Sequence, residues 1–416
     1  MEAALNLVLA VLAARPTLAA EATYGVPGGR ILVHYATTGG DAASMAFVEE
    51  VATTAEAAHA QLVAAGFRAP LDDGTLGGDS RIDIYLRDLQ SADGNAGTDS
   101  CVGDRCIGFI SAENDFAGYG YSSITEGIRS VVPHELFHLI QNAYSSAEPS
   151  TWTEGSAVWA VEHLYGADNS DFERFLPSFL TRSYRPFERT AGGFGDGYPY
   201  GAALWPYFLE QRFGVQTVVA AWAGCETAPF LDAADTALAA ESSSLDAAWA
   251  EMTRWNAFTG ARASRGGYLE ATKWSETPRE PTLTASGTAY IEGLSARYVP
   301  LELATRAQLT VTSASKIAAW VVPTAGTLDD GIEVTADTVL EPGSYLLVIS
   351  GLARNSITTA VDIGISEPDE GGGGCSSSSP TGSGLAMLAL LRMRRRARPR
   401  PRRPPDMPRP DARRSS

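Results

Sequence analysis

The spacing of two histidines places the strongest constraint on how this chain folds. His134 and His138 lie four residues apart in the segment HELFH, with Glu135 beside the first of them. An α-helix has about 3.6 residues per turn, so it projects both imidazoles from one face, one turn apart. Two imidazoles in this position supply two corners of a tetrahedral zinc site. Glu135 lies about 100° further round the helix, where it is placed to activate a zinc-bound water and to protonate a leaving amine.

The residues around this motif predict a helix with one apolar and one polar face. The apolar face consists of Val132, Leu136, Leu139, Ile140 and Ala143. Gln141 falls on the histidine face, which is expected to border a cleft while the other face packs in the core. Ser123 and Glu126 have the spacing of a capping box, and Pro133 predicts a kink or a new helix start. The alternative is that the two histidines are ordinary surface residues.

A third metal ligand is expected in the segment TWTEGSAVW, residues 151–159. Zinc hydrolases of this kind use three protein ligands and leave the fourth position to water. Glu154 shares its helical face with an apolar stripe formed by Ala157, Val158, Val161 and Tyr165. A carboxylate on a buried apolar stripe is costly unless it is paired or binds a metal, so we predict Glu154 as the third ligand. The alternative is a capping box between Glu154 and Thr151; Glu162 and His163 are weaker ligand candidates.

HELFH followed at short range by W-x-E-G-x-A, residues 152–157, resembles the gluzincin family of bacterial zinc metallopeptidases. The resemblance extends over about residues 24–260. It implies that the zinc ligands are His134, His138 and Glu154. It also implies that Glu135 is the catalytic base and that the fold is zincin-like, with a small sheet before the zinc helix and a helical lower half.

A second and weaker part of the resemblance covers residues 198–214, which look like the helix led by Tyr and Gly in such families. A tyrosine there would donate a hydrogen bond to the oxyanion of the tetrahedral intermediate. We choose Tyr200 over Tyr198, and the alternative is that both tyrosines only pack. In gluzincins the edge strand of the sheet binds extended substrate through main-chain hydrogen bonds. Residues 107–112 are the candidate for that edge.

Charge limits the partners of the chain. It carries 49 acidic and 32 basic residues, a net charge of −17. Eleven arginines and two aspartates lie from residue 392 onward, so the rest of the chain is strongly acidic. Such a body repels phosphate backbones, which argues against nucleic-acid binding.

The first 22 residues predict a signal peptide with cleavage between Ala19 and Ala22, although no Lys or Arg precedes the apolar run. The alternative is a short buried helix. Export suits a disulfide between Cys101 and Cys106, which enclose four residues. Cys225 is expected to be a buried free thiol.

Residues 23–265 form the predicted metallopeptidase domain. Its first part has strand patterns at residues 30–36, 81–87 and 107–112 and a helical pattern at 41–66. A Gly/Asp/Ser loop carrying the cysteine pair is expected before the third strand. Regular short strands then predict an antiparallel β-sandwich over residues 275–366.

The end of the chain is predicted to lie outside both domains. Residues 367–384 have the composition of a linker that contains Cys375, and residues 385–416 form a short apolar run with an Arg/Pro-rich tail. This arrangement resembles the MYXO-CTERM sorting signal of myxobacteria, which implies Cys375 as the sorting cysteine and attachment to the cell surface. The apolar run is shorter than the ~20 residues of a transmembrane helix, and the alternative is a disordered basic tail.

Together these patterns predict an α+β protein that is secreted or held at the cell surface and hydrolyses peptide bonds in polypeptide substrates with Zn²⁺. The alternatives are a surface protein without catalysis, zinc-binding or metal-free, that acts through its β-sandwich, and a hydrolase of non-peptide amides. The patterns give no prediction of oligomeric state or cleavage specificity.

Overall fold

The computed structural model describes residues 14–90, 92–166, 170–188 and 195–368. In this part of the chain a five-stranded mixed sheet comes first, helices follow, and two four-stranded antiparallel sheets complete the structure. The predicted α+β class is therefore confirmed at this level. Most of the predicted linker and the whole of the predicted tail, including Cys375, lie outside the described residues, as do residues 1–13 of the predicted signal peptide.

The first sheet has five strands in the order β1-β2-β3-β5-β4. Its strands are β1 (Glu21–Tyr24), β2 (Ile31–Ala36), β3 (Ile82–Arg87), β4 (Gly94–Val102) and β5 (Arg105–Glu113). The three central strands are parallel to one another, and β1 and β4 pair antiparallel at the two edges. Apolar side chains of the central strands face two helices, α1 (Met45–Ala64) and α2 (Ile124–Asn142), and form one buried cluster with them.

Two predictions about this sheet are wrong. The predicted Gly/Asp/Ser loop contains a strand, β4, because main-chain pairing with β5 stabilises a segment that has few β-branched residues. The predicted edge at residues 107–112 lies in β5, which is paired on both sides. The edge strand next to α2 is therefore β4.

The helix α2 runs without interruption from Ile124 to Asn142 and includes Pro133. A new helix start at Pro133 is therefore excluded. The Ser123 hydroxyl accepts a hydrogen bond from the Glu126 amide, as a capping box requires. The Glu126 carboxylate accepts from the Ser122 amide, one residue before the position that the capping box demands.

In the part of the chain that the structure describes, seven further α-helices follow α2. They are α3 (Ser150–Tyr165), α4 (Asp171–Leu180), α5 (Tyr198–Gly201), α6 (Leu204–Phe213), α7 (Val215–Gly224), α8 (Phe230–Ala240) and α9 (Leu245–Asn256). They share a large aromatic core, and its largest fully buried side chains are Trp152, Trp159, Trp205 and Trp222. Phe137 and Ile140 of α2 belong to this core, whereas Val132, Leu136 and Leu139 belong to the core beneath the sheet. The helix α2 thus contributes side chains to both cores.

Two sheets form the last part of the described chain. One has the order β10-β9-β12-β7 and the other β11-β8-β13-β6. The strands are β6 (Gly287–Ile291), β7 (Ala296–Leu303), β8 (Ala307–Ser313), β9 (Ile317–Pro323), β10 (Ile332–Glu333), β11 (Val339–Leu340), β12 (Gly343–Gly351) and β13 (Thr359–Ser366). Apolar side chains from both sheets form a single buried cluster between them.

These sheets are packed against the helical part through a buried contact with α9 and the residues that follow it. Phe258 lies in one apolar cluster with Trp320 and Val348. The Tyr298 hydroxyl donates a hydrogen bond of 3.0 Å to the main-chain oxygen of Thr253. The shared core makes the two parts one packed unit.

Residues 14–22, the last part of the predicted signal peptide, take part in the fold. Leu18 is buried, and strand β1 extends through the end of the predicted cleavage window. Arg15 forms ion pairs with three carboxylates, those of Asp73, Asp83 and Asp99. Cleavage within residues 19–22 would remove both Arg15 and Leu18. Among the described residues, no helix combines the length and the apolar character needed to cross a lipid bilayer.

Candidate metal centre

Three potential ligand atoms from two neighbouring helices lie close together. His134 and His138 occupy successive turns of α2, and Glu154 lies in the second turn of α3. The two Nε2 atoms are 3.1 Å apart. Oε2 of Glu154 lies 3.3 Å from Nε2 of His134 and 3.4 Å from Nε2 of His138. The structure therefore brings together all three residues predicted as ligands.

These distances fit a small divalent cation. A tetrahedral zinc ion with bonds of about 2.0–2.1 Å sets its ligand atoms about 3.3–3.4 Å apart, close to the separations found here. Oε2 of Glu154 is buried, and apart from its contacts with the two histidines it has no hydrogen-bond partner, although a buried carboxylate oxygen normally accepts a regular hydrogen bond. Two imidazole nitrogens and one carboxylate oxygen are also a donor set that zinc takes in catalytic sites.

The position of Glu154 decides between its two predicted roles. The residue before α3 is Pro149, and α3 has no side-chain cap. Oγ1 of Thr151 is buried without a hydrogen-bond partner, so Glu154 and Thr151 form no capping box. The carboxylate instead faces the two histidines of α2. His163, a weaker ligand candidate, pairs with Glu210 at 2.7 Å.

Electrostatics couple the three residues. Burial alone would lower the pKa of His138, but the charge and hydrogen bond of Glu154, together with the contributions of Glu135 and Gln141, outweigh it and raise this pKa to about 9. Burial alone would raise the pKa of Glu154, but the neighbouring His138 and His134 hold it well below its usual range. The carboxylate therefore stays ionised and available as a ligand at neutral pH.

Glu135 lies beside the three ligands and outside the ligand set. Its side chain is nearly buried, with 7% of the residue exposed. Burial raises the pKa of its carboxyl group, partly offset by the charges of His138 and His134. A carboxylate with a raised pKa is a more effective proton acceptor near neutral pH. On its other side lies Gly94 of β4, so Glu135 stands between the histidines and the edge strand.

Tyr200 packs against the centre, whereas Tyr198 does not. The ring of Tyr200 stacks on that of His134, with centroids 5.9 Å apart, and also on Phe175. Burial and the charges of Glu154 and Glu135 raise the pKa of its phenol, so the hydroxyl remains protonated and able to donate. Tyr198 is fully buried and donates to the main-chain oxygen of Arg185 at 3.0 Å.

A glycine in α3, Gly155, allows α3 and the segment that follows α5 to pack closely together. A Cβ added to Gly155 would come within 2.9–3.0 Å of the backbone at Ala202 and Ala203. Only a residue without a side chain lets the chain after α5 lie this close to α3. This close packing explains why a glycine follows Glu154 in the W-x-E-G-x-A segment.

Several residues near the centre were not predicted from the sequence. Asp171, at the start of α4, is buried, and its burial raises the pKa of its carboxyl group. The charge of the nearby His134 partly offsets this rise. Asp93, just before β4, accepts a hydrogen bond of 2.5 Å from Tyr121. No motif marks either aspartate, because each comes near the centre only when segments that are separate in the chain pack together. Gln141 contacts His138 at 2.8 Å, and its place on the histidine face was the one available signal.

A disulfide closes the hairpin that carries the edge strand. Cys101 and Cys106 face each other across β4 and β5 and are joined. Next to them, Nε of Arg105 donates to the main-chain oxygen of Ala143 at 3.0 Å. The hairpin tip is thereby attached to the carboxyl end of α2, the helix that carries both histidines. Among the described residues, Cys225 is a buried free thiol.

Comparison with known proteins identifies no family. No family model matches this chain, and no curated protein matches it either. Among solved structures, the chain is similar to the pre-peptidase C-terminal domain of a collagenase from Bacillus anthracis. The identity is 12%, the match covers 22% of this chain and 99% of that chain, and the TM-score is 0.17. A similarity at that score supports no conclusion about fold or function.

Proposed function

We propose that this protein is a zinc-dependent peptidase of the gluzincin type. The observation that carries the proposal is the triangle of His134 Nε2, His138 Nε2 and Glu154 Oε2, with edges of 3.1 to 3.4 Å. Beside it stands Glu135, a nearly buried carboxylate with a raised pKa. A structural zinc site is closed by four protein ligands, whereas three ligands with an open position are typical of catalytic zinc.

Each residue has a separate role in the proposed reaction. His134, His138 and Glu154 hold the metal, which when bound supplies a Lewis acid that polarises the scissile carbonyl. Glu135 removes a proton from the attacking water and passes it to the leaving nitrogen. The hydroxyl of Tyr200, kept protonated by its surroundings, donates a hydrogen bond to the developing oxyanion.

The substrate class follows from the edge strand. On its outer side β4 pairs with no other strand among the described residues. An extended polypeptide is able to pair with such an edge through its main chain. Gly94, at the start of β4, lies against Glu135, so a peptide bound along the strand would run past the catalytic carboxylate. We therefore propose polypeptides as substrates.

We also propose that the protein acts outside the cytoplasm, in the medium or at the cell surface. The disulfide between Cys101 and Cys106 fits an oxidising compartment. The apolar amino-terminal segment and the sorting-like tail with Cys375 also favour a location outside the cytoplasm. Mass spectrometry of the cell surface and the medium of the producing cells tests this localisation, and recovery of the protein only from the cytoplasm would contradict it.

Zinc content of the purified full-length chain tests the proposed function. The wild type should contain about one zinc per chain, and Glu154→Ala should lose most of it. Glu162→Ala, on the same helix, is the matched control and should keep its zinc. Glu135→Gln should also keep zinc but no longer hydrolyse peptides. A folded wild-type chain without zinc in zinc-containing buffer would overturn the proposal and favour a metal-free binding protein.

A further inference from the structure

A buried glutamine connects the two helices that carry the ligands. Gln141 lies one turn after His138 in α2 and is only 2% exposed. Its Oε1 is 2.8 Å from Nδ1 of His138. Its Nε2 donates to the main-chain oxygen of Thr153 at 2.8 Å and to Oγ of Ser156 at 3.1 Å. Both of the latter residues belong to α3 and lie close to Glu154 in the chain.

The oxygen of Thr153 determines how the amide of Gln141 is oriented. A main-chain carbonyl accepts hydrogen bonds and never donates, so the NH₂ group of Gln141 must face it. The amide oxygen is then turned toward His138. Nδ1 of His138 must in turn carry a proton, because an oxygen acceptor requires a donor. Because Nδ1 keeps its proton, Nε2 is the nitrogen left to bind a cation, and this atom faces His134 and Glu154.

The network continues into the apolar core. Oγ of Ser156 donates to the main-chain oxygen of Trp152 at 2.5 Å and accepts from Nε1 of Trp222 at 3.2 Å. The rings of these two tryptophans are buried and stacked on each other. Because a buried polar group without a partner costs about 1–3 kcal/mol, each member of the network holds the next in one orientation. The amide of Gln141 is thus fixed by a rigid part of the protein.

We propose that Gln141 is a positioning residue for the metal. It sets His138 to bind through Nε2 and ties the imidazole to the helix that carries Glu154. The inference rests on the proposed function, since it requires a metal at the three ligands. Partners that orient metal-binding histidines typically change metal affinity about 10–100-fold when they are removed.

The variant Gln141→Met tests the inference in the full-length chain, since methionine has a similar length and offers no amide. Zinc affinity, measured by competition with a chelator, should fall about 10–100-fold. Gln216→Met is the matched control. Gln216 also donates a hydrogen bond to a main-chain oxygen, that of Ala65, and both of these residues are far from the three ligands in the sequence. The zinc affinity of this variant should equal that of the wild type. The Co²⁺-substituted Gln141→Met chain should also show an altered ligand-field spectrum.

The wild type provides a second readout that does not depend on the folding of a variant. In the zinc-loaded chain, ¹⁵N NMR of the imidazoles should show a proton on Nδ1 of His138 and zinc on Nε2. Binding through Nδ1, or an unchanged zinc affinity in a folded Gln141→Met, would overturn the inference. A wild type that binds zinc without hydrolysing peptides would contradict the proposed function alone. A wild type that binds no zinc would contradict both.

Discussion

Gly94 of the edge strand lies directly against Glu135. A Cβ added to Gly94 would come within 3.0 Å of Cγ and Oε1 of Glu135 and within 2.5 Å of Cγ1 of Val131. The strand and the proposed catalytic carboxylate can approach this closely only because Gly94 has no side chain.

Gly94→Ala should therefore impair catalysis without changing the binding of zinc. The added methyl group would clash with Val131 and crowd Glu135, so either β4 or the side chains of α2 must shift. A shift of about 1 Å in a catalytic group can cost about 100-fold in rate. We expect kcat/KM for peptide hydrolysis to fall about 10–100-fold, with zinc content unchanged. Gly40→Ala is the control, since a Cβ at Gly40 meets no atom. Equal activity of the two variants would show that Gly94 does not position Glu135.

Tyr200→Phe should lower kcat about 100-fold, the loss typical of one missing oxyanion donor. Zinc content should not change, because the ring still stacks on His134. Tyr198→Phe is the comparison: it loses a hydrogen bond to Arg185 and should lower stability by about 1 kcal/mol without affecting kcat. If both variants keep the wild-type kcat, Tyr200 has a packing role and does not donate a hydrogen bond to the oxyanion.

In the uncleaved full-length chain, Arg15→Met should destabilise the protein strongly. The guanidinium is the partner of Asp73, Asp83 and Asp99, whose side chains are 9% exposed or less. Removing one partner of a buried ion pair costs about 3–5 kcal/mol, because the remaining charge stays buried and uncompensated. Denaturant unfolding measures the loss. Arg81→Met, which breaks the more exposed pair with Asp79, should cost only about 0–1 kcal/mol. A loss in Arg15→Met as small as that in Arg81→Met would show that the fold does not depend on Arg15.

Glu162→Gln should stabilise the protein in alkaline but not in acidic solution. Burial and the nearby charges of Glu270, Glu173 and Glu210 raise the pKa of Glu162 from 4.5 to about 7. The folded state thus holds a proton that the unfolded state releases, and stability falls as the pH rises from 4.5 to 7. At pH 8 the variant should be more stable by about 1–2 kcal/mol, after allowance for solvent screening.

Thermal unfolding at pH 4 and pH 8 measures this effect. At pH 4 Glu162 is protonated in the folded state and mostly protonated in the unfolded state, so the two proteins should melt at nearly the same temperature. A melting temperature at pH 8 that is equal or lower in the variant would refute the assigned pKa shift.

Tyr298→Phe probes the contact between the helices and the β-sandwich. The hydroxyl donates to the buried oxygen of Thr253, and its loss should cost about 1–2 kcal/mol. Because Phe258 and Trp320 share one core across the contact, calorimetry should show a single transition that moves to lower temperature. Two separate transitions, only one of them shifted, would show that the two parts unfold independently.

Local periodicity made part of the candidate site predictable. An α-helix repeats every 3.6 residues, so the spacing of His134 and His138 already places them on one face, with Glu135 beside it. The apolar stripe around Glu154 indicated a buried carboxylate in need of a partner. Signals of this kind depend on residues within a few turns of one another, which is why they can be read without the fold.

The sequence alone thus determined the α+β class, the position of α2 and the residue types that gather on its polar face. The tertiary structure alone decided that Glu154 faces α2 instead of capping α3, that β4 forms the edge beside Glu135, and that a carbonyl in α3 orients Gln141. Each of these depends on a contact between segments that are separate in the chain. A segment such as β4 has little strand propensity of its own, and only pairing with β5 makes it a strand.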